Sequence, residues 1–245
     1  MFKKIILICF MLSFLGGCAA THTVISKRKL DVQTKMTDTI FLNPVEDHQQ
    51  TVYVQIKNTS DKPNFRIDEK VKELLRNKGY KVVTSLNKAQ YLVQANILQV
   101  GKMDPSAAEQ MFKDGYGSMA HSVGAGVATG ALIGGGRGNS MLVGGIIGGL
   151  ASTVSNALVK DVTYTVITDL QISEKADKGV KVDQVDESDL KQGSSSISKQ
   201  TSNFQTVWKK YRTRIMSTAN KVNLKFEDAL PLLEDGLTNA LTGIF

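Results

Sequence analysis

Apolar and polar positions alternate across Thr51–Lys57, TVYVQIK, with Val52, Val54 and Ile56 on one side and Thr51, Tyr53, Gln55 and Lys57 on the other. A period of two predicts a half-buried strand. TIFLNP at Thr39–Pro44 is expected to form a strand just before it, closed by the proline. The period then lengthens to that of a helix. Ile67, Val71, Leu74 and Leu75 form the apolar stripe, Asn64 is the expected N-cap, Arg76 and Lys78 suit the C-terminal dipole, and Gly79 ends the turn. YKVVTS at Tyr80–Ser85 and AQYLVQANILQV at Ala89–Val100 read as two further strands. A strand, a helix and two strands in that order are most simply satisfied by a sheet with one covered face.

Farther along, DVTYTVITDLQI places Val162, Tyr164, Val166, Thr168, Leu170 and Ile172 on one face of the clearest strand in the chain. Residues 174–200 are polar and include QGSSSIS, the composition of a loop or a mobile hairpin tip. FQTVWKKYRTRIMS at Phe204–Ser217 predicts another long strand, its alternation faulty at Lys209 and Lys210. The chain closes on a helix that lines up Phe226, Ala229, Leu230, Leu233, Leu237, Ala240, Leu241 and Ile244, with Pro231 expected in its first turn. The fold class is therefore α+β: a mixed sheet with a βαββ unit and long strands, a C-terminal amphipathic helix, and one insertion of a different character.

That insertion occupies residues 115–159. Between Asp114 and Lys160 the sole formal charge is Arg137, and 13 of the 21 glycines fall between Gly115 and Gly149. Two apolar arms, about 118–133 and 141–159, flank GGGRGNS, so an α-helical hairpin is expected. Gly126, Gly130 and Gly134 recur four apart in the first arm; Gly144 with Gly148, and Gly145 with Gly149, do so in the second. Residues four apart stack on one helical face, leaving grooves into which another backbone can approach closely. In water each interior glycine costs a helix about 1 kcal/mol relative to alanine, whereas in hydrocarbon a helix is favoured because it satisfies its own backbone. The arms therefore point to membrane contact and self-packing, with a buried hairpin or a surface loop as alternatives. One hairpin leaves some of its grooves unfilled, which implies partners, most simply identical chains in a ring.

At the other end, Lys3 and Lys4 precede an apolar run from Ile5 to Leu15, too short to span a bilayer and typical of a secretory signal. Leu15-Gly16-Gly17-Cys18 resembles a bacterial lipobox, which places cleavage between Gly17 and Cys18 and acylation, palmitate included, on Cys18. Residues 1–17 are then the signal, 18–36 a lipidated tether carrying SKRK at Ser26–Lys29, and 37–245 the folded domain. Loss of Cys9 with the signal leaves no free thiol for a disulfide, a metal or a nucleophile. Removal of Lys3 and Lys4 lowers the formal charge from +7 to +5, a mild excess that suits anionic lipid head groups better than tight nucleic-acid binding.

Catalytic signatures are missing from the sequence. His22, His48 and His121 lack ligand spacing, so no metal is expected. GGGRG at Gly134–Gly138 lacks the lysine and hydroxyl residue of a phosphate loop, and no cofactor or enzymatic activity is expected. Trp208, Lys209, Lys210, Tyr211 and Arg212 mix aromatic and basic groups as single-strand nucleic-acid surfaces do; an exposed strand or an interfacial belt is the preferred reading.

Taken together, these features closely resemble the TraT family of plasmid-encoded outer-membrane lipoproteins, the complement resistance or surface exclusion proteins. KNTSDK at Lys57–Lys62, KGYKVVTS at Lys78–Ser85, VQANIL at Val93–Leu98, KMD at Lys102–Asp104, DVTYTVITDLQI at Asp161–Ile172 and ANKVNLKFEDALPLLED at Ala219–Asp235 carry the resemblance. It implies a surface-exposed, ring-forming homo-oligomer seated in the outer membrane. Such a protein hinders mating contact with donors of a related plasmid and lowers sensitivity to complement; its contacts would be lipid and mating-pair or outer-membrane proteins. Exclusion specificity would reside at the tip, Gly134, Gly135, Gly136, Arg137, Gly138, Asn139 and Ser140. The alternative from a different class is a secretion or transport pore, against which the arms' lack of a polar face counts.

Overall fold

A computed structural model describes residues 29–118, 160–177, 179–192 and 196–245; within these, 186–192, 196–202 and 204 are described by backbone alone. Among the described residues, eight strands and three α-helices follow in the order β1 (Asp31–Met36), β2 (Thr51–Asn58), α1 (Asp68–Asn77), β3 (Lys81–Val82), β4 (Tyr91–Lys102), α2 (Pro105–Lys113), β5 (Asp161–Lys175), β6 (Val182–Gln192), β7 (Ser196–Thr206), β8 (Trp208–Val222) and α3 (Phe226–Thr242). Six strands make one mixed sheet ordered β1-β8-β5-β4-β2-β3. The pairs from β1 to β4 are antiparallel, and β2 runs parallel to both β4 and β3.

Where apolar periodicity is strong the elements form as expected. Val52 is fully buried in β2, with Val54 and Ile56 packed beside it, and β4 alternates buried Tyr91, Val93, Ala95 and Ile97 with half-buried neighbours. Helix α1 buries Val71 and Leu75, and α3 buries Ala229, Leu233, Leu237 and Leu241, all against the same face of the sheet. Each buried Val or Leu among them contributes about 1.5–3 kcal/mol by leaving water. At the chain end, Phe245 meets Tyr80 and Tyr91 edge to face, with centroids 5.2 and 5.6 Å away. Gly236 is where α3 comes closest to the sheet: a Cβ there would lie 2.4 Å from Thr34 Oγ1 and 2.8 Å from Ser217 Oγ.

Weaker signals misled. Residues 39–44, expected as a strand, have no regular structure, although Ile40 is buried. Asp31–Met36, expected within the tether, instead forms β1 and pairs with β8 from Asp31↔Asn220 to Met36↔Ile215. The cap of α1 is Ile67 rather than Asn64, with no side-chain hydrogen bond. Only Lys81–Val82 of YKVVTS joins the sheet. Pro231 lies inside α3 beyond its first turn, so the helix runs through it.

Strand β5 differs most from its sequence pattern. Val162, Val166, Leu170 and Ile172 join the main core as expected, yet Thr163, Thr165, Ile167 and Asp169 on the opposite side are buried too. The cause is α2, which periodicity alone did not reveal. It lays Ala108 and Met111 over Met103, Ile167 and Met216, a second small core on the far face of the sheet. Its N-cap is Asp104, whose carboxylate accepts hydrogen bonds from Ser106 N at 2.9 Å and Ala107 N at 3.4 Å, with Pro105 in the first turn.

The polar stretch 174–200, assigned to a loop or a mobile hairpin tip, contains β6 and the first half of β7, an antiparallel ribbon paired from Val182↔Thr206 to Gln192↔Ser196. The long strand expected over 204–217 is accordingly two, divided at Val207. The ribbon follows the β5–β8 pair in the chain: after Lys175↔Trp208, Ala176 N donates to Val207 O at 2.8 Å, and Gly179 has φ 90° before β6 begins.

Candidate functional site: two moorings of the glycine-rich segment

The glycine-rich segment departs at Ser118 and returns at Lys160. Both points are fixed by polar side chains of β5 and β8 or the turn that follows β8. Asp169 on β5 stands directly across from Arg214 on β8, on the face that α2 half covers. Arg214 Nε donates to Asp169 Oδ1 at 2.6 Å and its Nη2 to Asp169 Oδ2 at 3.0 Å, a two-pronged pair whose guanidinium is wholly shielded from solvent. Nη1 donates to Met111 O at 2.6 Å and to Ser118 Oγ at 2.8 Å. Gly117 N completes the cluster by donating to Asp169 Oδ2 at 2.8 Å. One buried cation thus holds the C-terminal end of α2, the turn at 115–118 and the sheet together.

The turn itself requires glycine, because Gly115 and Gly117 have φ of 75° and 78°. These two glycines, which open the insertion bounded at 115–159, form the turn that precedes the first expected arm. Tyr116 between them lies against the Arg212 guanidinium, 5.6 Å from ring centroid to cation. Burial pushes the Tyr116 phenol up, the Arg212 charge pulling the other way.

At the return point, Lys160 N donates to Asn223 Oδ1 at 3.0 Å and Asn223 N donates to Lys160 O at 2.8 Å. Asn223 adopts φ 53°, a left-handed conformation that asparagine tolerates better than most residues. The side chain of Asn220 donates to Asp161 Oδ1 at 2.7 Å and to Thr163 Oγ1 at 2.8 Å, fixing the start of β5 against β8.

The first mooring sits at Asp169 and the second at Asp161, eight residues apart along one strand. At about 3.3 Å per residue the moorings stand roughly 26 Å apart. Helices packed side by side lie about 8–10 Å apart, so this base is far wider than that of a closely paired helical hairpin.

Beside the first mooring the face of the sheet is polar. A row of amides crosses four strands: Arg212 Nε donates to Gln171 Oε1 at 2.9 Å, Gln171 Nε2 to Gln94 Oε1 at 3.1 Å, and Gln94 Nε2 to Gln55 Oε1 at 3.0 Å. Lys57, Asn96 and Tyr116 border this row in a shallow cleft. Trp208, Lys210 and Arg212 share this face, while Lys209 and Tyr211 turn to Glu174 on the other, at 3.4 and 3.0 Å.

Gly17, Cys18, Gly126, Gly130, Gly134, Gly144, Gly145, Gly148 and Gly149, and the tip from Gly134 through Arg137 to Ser140, lie outside the described residues. Arg214, Asp169 and Asn223, which hold the ends of that segment, escaped the sequence reading. One signal for the first pair was present: an acid and a base, each inside a strongly apolar strand, need a partner if both faces are covered.

What fold and moorings define is a sheet scaffold that carries an apolar insertion. Among the described residues no three histidine, cysteine or acidic side chains are grouped to hold a metal ion, and no helix is long and apolar enough to cross a membrane. Residues 29–245 match the family model described as Enterobacterial TraT complement resistance protein. A TraT complement resistance protein of Escherichia coli is 44% identical over 234 residues, covering 94% of this chain and 92% of its own. One from Escherichia coli strain K12 is 42% identical over 247 aligned positions, covering 99% and 98%. A more divergent relative, from Wigglesworthia glossinidia brevipalpis, is 29% identical over 99% of this chain and 96% of its own. The chain belongs to the TraT family.

Proposed function

We infer that this chain is a non-enzymatic outer-membrane lipoprotein, anchored through Cys18 and assembled as a homo-oligomer, that confers complement resistance and excludes donors carrying a related plasmid. Complement resistance rests on the relatives, whose names carry it across nearly the whole chain. The observation that supports an assembly built around residues 115–159 is the spacing of the moorings. The described ends of that segment are held roughly 26 Å apart, wider than two helices in contact, and copies of the chain are the natural source of packing partners for its glycine grooves. The basis for a contact-blocking role over a pore is the absence of formally charged residues from the arms; the insertion's one charge, Arg137, lies in the sequence between them.

The test is a plasmid-free recipient expressing the full chain. Conjugation from donors of a related plasmid should fall and survival in serum should rise; unchanged values for both would overturn the reading. Cys18→Ser should release the protein from outer-membrane fractions, and Gly130→Leu or Gly148→Leu should dissociate the oligomer on native gels. Large stable conductance in planar bilayers would favour a pore.

A further inference from the structure

We propose that the amide-lined cleft beside the first mooring binds an acidic sugar, holding its carboxylate or phosphate between Gln55, Lys57 and Asn96 and its hydroxyls along the row of amides. Arg212 sets the direction of that row. A guanidinium only donates, so the 2.9 Å bond from its Nε turns Gln171 Oε1 towards it. Gln171 Nε2 is thereby left to donate to Gln94 Oε1 at 3.1 Å, and Gln94 Nε2 to Gln55 Oε1 at 3.0 Å. All three amides point the same way, and bonds in such a chain strengthen one another. The donor end is Gln55 Nε2, which has no hydrogen-bond partner among the described residues. Strand β3 pairs with β2 only at Thr51 and Val52, so at Gln55 the row ends on an edge of the sheet.

Donors gather at this end. Lys57 stands two residues on along β2, exposed and without an ion-pair partner among the described residues. Asn96, its neighbour on β4, accepts from Thr59 Oγ1 through Oδ1 at 3.3 Å, which leaves Nδ2 to donate. Two amide groups and an ammonium suit an anion, whose charge strengthens each bond. The acid that lines the cleft, Asp169, lies two strands from Lys57, about 10 Å, and is held by Arg214 and Gly117 N.

The rest of the cleft suits hydroxyls. After the bonds of the row, Gln94 and Gln171 each retain an N–H and an acceptor lone pair. A ring hydroxyl, donor and acceptor at once, satisfies both, whereas a bare anion does not. The floor is the backbone at Ala95, whose side chain is buried in the main core on the other face. Tyr116 borders the cleft with a side chain that is 40% accessible, an amphipathic ring against which the C–H face of a sugar can lie. The cleft holds about 170 Å³, well below the ~300 Å³ at which drug-sized pockets begin, so its occupant is about one ring in size. One chain supplies the whole lining, and the site does not depend on the homo-oligomer reading above.

Ligand-observed NMR titration of the full-length lipoprotein in detergent tests the site. Glucuronate and glucose 6-phosphate should bind with Kd on the order of 1 mM, and glucose, acetate and inorganic phosphate about tenfold more weakly. Lys57→Gln, and separately Gln55→Glu, which keeps the acceptor for Gln94 but removes the donor, should each raise Kd for the sugar acids about tenfold while leaving that for glucose and the urea midpoint unchanged. Lipopolysaccharide micelles offer acidic sugars on a lipid. Lys57-dependent binding tighter to them than to glucuronate supports the site with a membrane source, and the reverse supports it with a free sugar. Absence of binding by both sugar acids and the micelles, or binding that Lys57→Gln and Gln55→Glu leave unchanged, would overturn the proposal. Acetate or phosphate binding as tightly as the sugar acids would overturn the sugar and leave a site for anions only.

Discussion

Arg214 and Asp169 face each other across β8 and β5, joined at 2.6 and 3.0 Å, with the guanidinium wholly out of solvent. A buried pair contributes little net stability compared with an apolar substitute, but breaking it strands a charge. Arg214→Met or Asp169→Asn should destabilise the fold by about 3–5 kcal/mol. Replacing both by apolar residues of similar volume should cost less than either alone. Urea unfolding of the four proteins measures this; additive losses would show that the two residues do not act as a unit.

The approach of α3 to β1 and β8 gives a second test. Gly236→Ala would place a methyl 2.4 Å from Thr34 Oγ1 and 2.8 Å from Ser217 Oγ, displacing the mutual contact of those hydroxyls at 3.0 Å. The expected loss is about 1–3 kcal/mol, read as a lower urea midpoint with unchanged slope. Alanine ordinarily stabilises a helix relative to glycine, so a gain would contradict the packing described.

Tyr91 donates to Asn43 O at 2.8 Å and is almost fully buried. Burial, followed by the charges of Tyr80, Glu174 and Tyr211, pushes its phenol from 10.0 up to about 12. The unfolded chain then loses the proton first, so this group's contribution is complete below pH 10 and is lost as the pH rises towards 12. Tyr91→Phe should cost about 1 kcal/mol near neutrality through the lost hydrogen bond and flatten stability over the alkaline range. An unchanged alkaline slope would refute the assignment.

Helix α2 owes its start to Asp104, whose carboxyl is held below the usual range first by the Ser106 hydroxyl. Asp104→Ala should cost about 1 kcal/mol. The carboxylate favours the fold at pH values above its unfolded pKa, and its contribution fades as the pH falls through the lower, folded one. The variant should accordingly lose part of the wild type's acid-side decline, which thermal melts across that range would reveal.

Periodicity made β2, β4, β5, α1 and α3 legible, because residues that must leave water recur at the spacing of the element that buries them. It failed for β1, read as tether, since an edge strand with little to bury carries a weak alternating signal. It also failed for β6 and β7, whose polar sequence looks like a loop until two such strands supply each other's backbone partners. Helix α2 was missed because its stripe is short, and with it went the second core.

The sequence by itself determined the type of its strongest elements, the glycine-rich and almost uncharged character of residues 115–159, and a resemblance to the TraT family that the comparisons bear out. Only the tertiary structure decided that Asp169 meets Arg214 across 45 positions of sequence, that both faces of β5 are covered, and that the apolar insertion is moored at two distant points of one strand. The reason is physical. Local patterning records which side chains must be buried, whereas the partner that neutralises a buried charge is chosen by the register of strands far apart in the chain, and no local repeat encodes that register.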